Sequence, residues 1–129
     1  LYRALGTAIA AETKELSTMN VAQLLKESQL VIDVFDNSKS RQALKDYADQ
    51  TGVACLHTGL ASDYAEIIWN QNYRVPSAIN DDVCDYPLAR NLVALTVAAV
   101  SEAIISFVVF NEQRNFTITL QDLTIQSLD

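Results

Sequence analysis

Apolar residues in this chain gather into short, nearly continuous runs separated by polar stretches of helical period. Residues 30–35, Leu-Val-Ile-Asp-Val-Phe, are such a run, as expected of a strand covered on both faces. A helix is predicted over about 39–50, with Ala43, Leu44, Tyr47 and Ala48 on its inner side and Gly52 as its stop. Residues 53–57 and 64–69 read as two further strands with a Thr58-Gly59-Leu60-Ala61 corner between them. From 116 to 120 the pattern alternates cleanly, and 123–125 is expected to continue that strand after a bend at Gln121-Asp122. Such alternation fits an edge with one wet face.

Upstream, residues 1–5 read as the tail of a helix with Gly6 as its stop, and 8–16 as a polar, half-exposed strand. Residues 18–28 read as a helix, with Asn20 and Gln23 as a capping box and Val21, Leu24 and Leu25 on one face. Residues 70–86 form the one long irregular segment, rich in Asn and Asp, and a loop of that length is functional or mobile. Pro87 then suits the first turn of a long helix running to about residue 110, with Asp85 near its cap. The order is β, α, β, α, β, β, α, β, β. Its economical reading is a single α/β domain over residues 1–129, with a mostly parallel sheet, flanking helices and antiparallel end strands.

The stretch 92–110 is long enough to span a bilayer. Glu102 near its middle and the lack of a flanking basic cluster favour instead a helix buried between the sheet and a neighbouring subunit. Half of the 129 residues are hydrophobic, 19% are charged and only three are glycine, a profile of folded, element-rich chains. The net charge of −7 disfavours nucleic acid and anionic membranes as partners. Two widely spaced cysteines point to a reducing compartment, most simply the cytoplasm. The chain opens on Leu1-Tyr2-Arg3, within what reads as a helix, so a piece of something longer is expected.

Asp36 follows the 30–35 run at the carboxyl end of its strand, where ligands of open α/β sheets dock. Asn37 or Ser38 can cap the helix behind it. Asp33, inside the run, needs a hydrogen-bond partner if buried and is expected to be structural. A plain alternative for Asp36 is stabilisation of the helix dipole. For Arg41, one turn into that helix, a phosphate and a nearby carboxylate are equal candidates. Cys55 reads as core. Cys84 lies just before the long helix, whose dipole favours a thiolate, while Asp81, Asp82 and Asp85 oppose one. His57, at a strand end, is a candidate ligand contact or a satisfied structural histidine. Zinc is not expected from two isolated cysteines and one histidine. No G-x-x-x-x-G-K-S/T loop, G-x-S-x-G elbow or basic-aromatic interleaving occurs.

Asp33-x-x-Asp36-Asn37 with Arg41 beyond it resembles the signature of the ThiF/MoeB/HesA adenylyltransferases, bacterial relatives of ubiquitin-activating enzymes. The resemblance runs over roughly residues 20–110, through the helix to Gly52, the strand ending in His57, Thr58-Gly59, and the helix carrying Val100-Ser101-Glu102-Ala103-Ile104. It implies a Rossmann-like fold, here its carboxyl-terminal part, since the glycine-rich turn and the basic residues that grip the triphosphate precede Leu1 in the family. It implies ATP and Mg²⁺ as cofactors, with Asp36 holding magnesium and contributing to catalysis. Asn37, Arg41 and His57 would lie at the nucleotide, and Cys84 at the position of the sulfur-accepting cysteine of some members. The implied partner is a small carrier or ubiquitin-like protein or peptide whose C-terminal carboxylate is adenylated, with self-association into a homo-oligomer, most simply a homodimer. The alternative is a non-catalytic scaffold of the same fold that dimerises and docks a partner protein.

Overall fold

The computed structural model describes residues 6, 8–77 and 90–128. The elements run α1 (Val21–Leu25), β1 (Leu30–Asp33), α2 (Ser38–Thr51), β2 (Ala54–Ala61), β3 (Tyr64–Trp69), α3 (Arg90–Phe110), β4 (Asn115–Thr119) and β5 (Thr124–Leu128). The five strands form one sheet in the order β1-β2-β3-β4-β5. Only β1 and β2 are parallel, with Ile32 opposite Leu56 and Asp33 opposite His57. The remaining neighbours are antiparallel.

The α/β class is therefore as expected, while the mostly parallel sheet is corrected to a mostly antiparallel one. The connections explain the difference. A parallel pair needs a long crossover, which α2 supplies between β1 and β2. Two residues, Ser62 and Asp63, join β2 to β3, and a turn over 120–123 joins β4 to β5, so both pairs must reverse direction. Ser62 takes a positive φ of 58°, at the first central position of its two-residue hairpin.

Several boundaries move for local reasons. Residues 58–61 are not a corner, because Gly59 pairs with Glu66 and Leu60 with Ala65, which carries β2 on to Ala61. Residues 123–125 do not prolong β4 but fold back as β5, with Thr124 opposite Thr119. Asp122 holds that reversal by accepting from the backbone N–H and the hydroxyl of Thr124, which lowers its pKa. The expected strand over 8–16 is not formed. The 18–28 helix shrinks to α1, and Asn20 does not make the capping box. Its side chain accepts from the Ser17 N–H at 2.8 Å and donates to the Glu15 carbonyl at 2.9 Å instead. Pro87, Asp85 and most of the irregular segment lie outside the described residues.

Alternation along the strands separates two apolar clusters across the sheet. On one face Leu56, Ala65, Ile67, Trp69, Phe116 and Ile118 pack with Leu92 and Ala103 of α3. Trp69 lies 4.9 Å from Phe107, tilted against it, and its indole N–H has no hydrogen-bond partner among the described residues. On the other face Val31 and Cys55 meet Leu44 and Ala48 of α2, with Leu16 and Val21 beside them. α3 is long and apolar enough to cross a membrane by length and composition. Here one side of it lies on the sheet, and the other exposes Val97, Ile105, Val108 and Val109.

Candidate functional site

The turn from β1 into α2 organises the carboxyl end of the parallel pair. Asn37 is the N-cap of α2, in extended backbone, and its side chain accepts from the Ser40 N–H at 2.8 Å. The same side chain donates to Asp36 Oδ1 at 3.3 Å. Asp36 is exposed just past β1, and this is its one hydrogen bond among the described residues. Across from it, Ser38 donates from Oγ to the Pro76 carbonyl at 3.0 Å, so the segment after β3 runs past the head of α2.

Beneath this turn lies a buried polar network on the α2 face of the sheet. Asp33 is fully buried, and its Oδ1 accepts from the Phe35 N–H at 3.0 Å. Its Oδ2 stands 2.7 Å from His57 Nδ1 and 3.5 Å from Arg41 Nη1. Arg41 also donates to the Tyr73 hydroxyl at 2.9 Å and to the Thr58 carbonyl at 2.8 Å. His57, fully buried, has its Nε2 2.8 Å from Asn70 Oδ1 and its ring stacked on Tyr73 at 3.8 Å and 8°. Asn70 Nδ2 donates to Asp49 Oδ1 at 2.6 Å, while Lys45 reaches Asp49 at 3.1 Å and the Asn70 carbonyl at 3.1 Å.

Burial sets the proton affinities here. It pushes the Cys55 thiol up to about 12, with the negative Asp33 adding to the effect, so this cysteine is an inert core group. Burial raises the Glu66 carboxyl as well, although Arg41 and His57 pull it back. The Tyr73 hydroxyl is raised by burial against the opposing hydrogen bond from Arg41.

Of the nucleotide-side expectations, Asp36 alone is an exposed acid. Of the two roles open to each, Arg41 takes the carboxylate, with Nη1 and Nη2 bonded to Asp33, Tyr73 and Thr58, and His57 is the satisfied structural histidine, while Asn37 caps the helix. Asp33 is structural, as expected of a carboxylate inside an apolar run. Cys84 lies outside the described residues. Asn70, Tyr73 and Glu66 were not foreseen as members of the network. The faint signal for the first two was the Asn-rich segment after β3, which gave no hint of what it would touch.

Among the described residues no three His, Cys, Asp or Glu side chains are grouped to hold a metal ion. Asp36 offers one carboxylate, which suits magnesium only where phosphates and water complete the shell. A shallow cavity of about 550 Å³, lined in part by Lys26, Gln29, Tyr47 and Phe107, opens at the opposite end of β1 and β2.

No family model matches the chain, and no curated protein matches it. The fold is similar to the crystal structure of selenomethionine PaaA, with a TM-score of 0.55 at 11% identity. That likeness covers 92% of this chain and 47% of PaaA, so the chain spans about half the length of this neighbour. It shows a shared mixed α/β fold.

Proposed function

We propose that the chain is the carboxyl-terminal part of an ATP-dependent adenylyltransferase that activates the C-terminal carboxylate of a small ubiquitin-like or sulfur-carrier protein or peptide. The observation that carries this reading is the division of labour within Asp33-x-x-Asp36-Asn37-x-x-x-Arg41. Asp33 and Arg41 tie the strand to the helix from below, Asn37 caps the helix, and Asp36 is held outward at the sheet's carboxyl end. A turn built this rigidly around an exposed carboxylate supports a ligand-holding role for it.

In this reading Asp36 would hold Mg²⁺, and such an ion would supply neutralisation of phosphate charge. The carboxylate of the partner attacks the α-phosphorus and pyrophosphate leaves, so positioning and electrostatics supply most of the rate. Arg41 and His57 act from beneath, keeping the Asp36 turn in place. Asp36 supplies one of the several contacts a nucleotide needs, and a sulfur-accepting role for Cys84 rests on the resemblance alone. The cytoplasm, reducing and rich in ATP, is the compartment this chemistry fits.

A second reading is a non-catalytic scaffold that self-associates and docks a partner protein. The exposed apolar side of α3 favours it, with Val97 59% and Val108 68% exposed.

The deciding experiment is calorimetric titration of Mg·ATP into the chain and into Asp36→Ala. The nucleotide reading expects binding by the first and at least a tenfold loss, about 1.4 kcal/mol, in the second. Binding that ignores Asp36, or none by the folded wild-type chain, overturns it for this chain.

A further inference from the structure

We infer that His57 carries both ring protons at once and serves as a charged clasp that fastens the segment from Asn70 to Pro76 onto the sheet. The inference stands on hydrogen-bond geometry and is independent of the nucleotide reading.

The Nδ1 side is simple. Asp33 Oδ2 is 2.7 Å away, and this carboxylate faces only donors, from the Phe35 backbone and Arg41. It accepts, so Nδ1 donates. At the other side, Nε2 stands 2.8 Å from Asn70 Oδ1. Which way that amide points is decided at its far end, where Nδ2 lies 2.6 Å from Asp49 Oδ1. Turning the amide over would set two oxygens against each other at Asp49. Nε2 therefore also faces an acceptor and must donate.

A neutral imidazole has one donor and one acceptor nitrogen, so either tautomer would leave a lone pair against an oxygen. His57 is 0% exposed, and no water can relieve that conflict. The neighbouring charges are compatible with a cation. Asp33 faces the ring from β1. Arg41 approaches from α2 but spends its other donors on Tyr73 and Thr58. Glu66 comes from β3 and is acted on by both Arg41 and His57, Cys55 on β2 beside His57 is un-ionised, and Lys45 and Asp49 form their own pair on α2. The Tyr73 ring lies flat against the imidazole, which suits a positive charge on its π face.

Two of the contacts holding the segment pass through this ring, the bond to Asn70 and the stack with Tyr73. Three residues beyond Tyr73, the Pro76 carbonyl meets Ser38 at the head of α2, beside Asp36. The charge on His57 thus sets the path of the segment past the strand end.

The test is a long-range proton–nitrogen spectrum of the imidazole in the nitrogen-15-labelled chain at neutral pH. The clasp expects both ring nitrogens at protonated shifts, each with its own N–H proton. A spectrum with one unprotonated nitrogen overturns it. His57→Phe keeps a ring against Tyr73 but removes both donors. It is expected to speed amide exchange at Asn72 and Tyr73 about tenfold or more, with Ile67 unchanged, whereas unaltered exchange in the segment also overturns the clasp. Should His57→Phe fail to fold, the nitrogen spectrum of the unaltered chain decides.

Discussion

Glu66 is the half-buried acid of the site, opposite Gly59 on the face that carries Arg41 and His57. Its folded pKa is raised above the ordinary 4.5, first by burial, with the two cations only partly offsetting the rise. The folded state therefore binds this proton more tightly than the unfolded chain does. Its contribution to stability is complete below about pH 4.5 and is lost as the pH climbs through the raised value. Glu66→Gln keeps the neutral shape at every pH. Urea denaturation should show the variant gaining on wild type between pH 4.5 and 7, and a gap that narrows over that range would contradict the assignment. At this scale the sequence was partly legible. Asp33 inside an apolar run had to be paired, and it is. A carboxylate for Arg41 and a structural role for His57 were among the options open, but that Asp33 serves both was hidden, because 8 and 24 residues of chain separate them from it and only folding brings them together.

Among the elements, α2 is the one most fully written in local sequence. Its cap residue, its apolar positions Ala43, Leu44 and Ala48, and its stop at Gly52 all lie where periodicity puts them. Gly52 takes φ 73° and donates its N–H to the Ala48 carbonyl at 2.9 Å, a left-handed terminus that a side chain resists. Apart from its own chain neighbours, no atom of the described residues stands within 4 Å of where a Cβ would be, so the cost of Gly52→Ala is conformational, about 1 kcal/mol. Thermal unfolding should register that loss, and an unchanged midpoint would mean that the terminus adjusts. By contrast, α1 is shorter than its local pattern predicts, and 8–16 forms no strand. Their few apolar residues serve tertiary contacts, Leu16 and Val21 joining the α2 cluster, and 8–16 finds no sheet partner among the described residues.

For the molecule as a whole, the asymmetry of α3 is the main open surface. Leu92, Thr96, Ala103 and Ser106 are buried, while Val97, Ile105, Val108 and Val109 look outward. The scaffold reading expects this side to pair with a second copy. Sedimentation velocity at tens of micromolar should then find dimers, and Val108→Asp should weaken them about tenfold or more through the cost of burying a charge. A wild-type chain that sediments as a monomer would remove this reading. The PaaA likeness spans 92% of the chain and leaves the surface question to such experiments.

Sequence by itself determined the α/β class, the placement of β1, α2, β3, α3 and β4, and the position of Asp36 past a strand end, because each depends on short-range periodicity, capping and turn chemistry. Tertiary structure alone decided that the sheet is mostly antiparallel, that residues 58–61 stay in strand, and that the chain doubles back after 120. Those outcomes depend on which backbone hydrogen bonds find partners across the sheet. It also decided that Arg41 and His57 face inward, since a buried carboxylate at Asp33 draws in whatever donors the fold brings within reach.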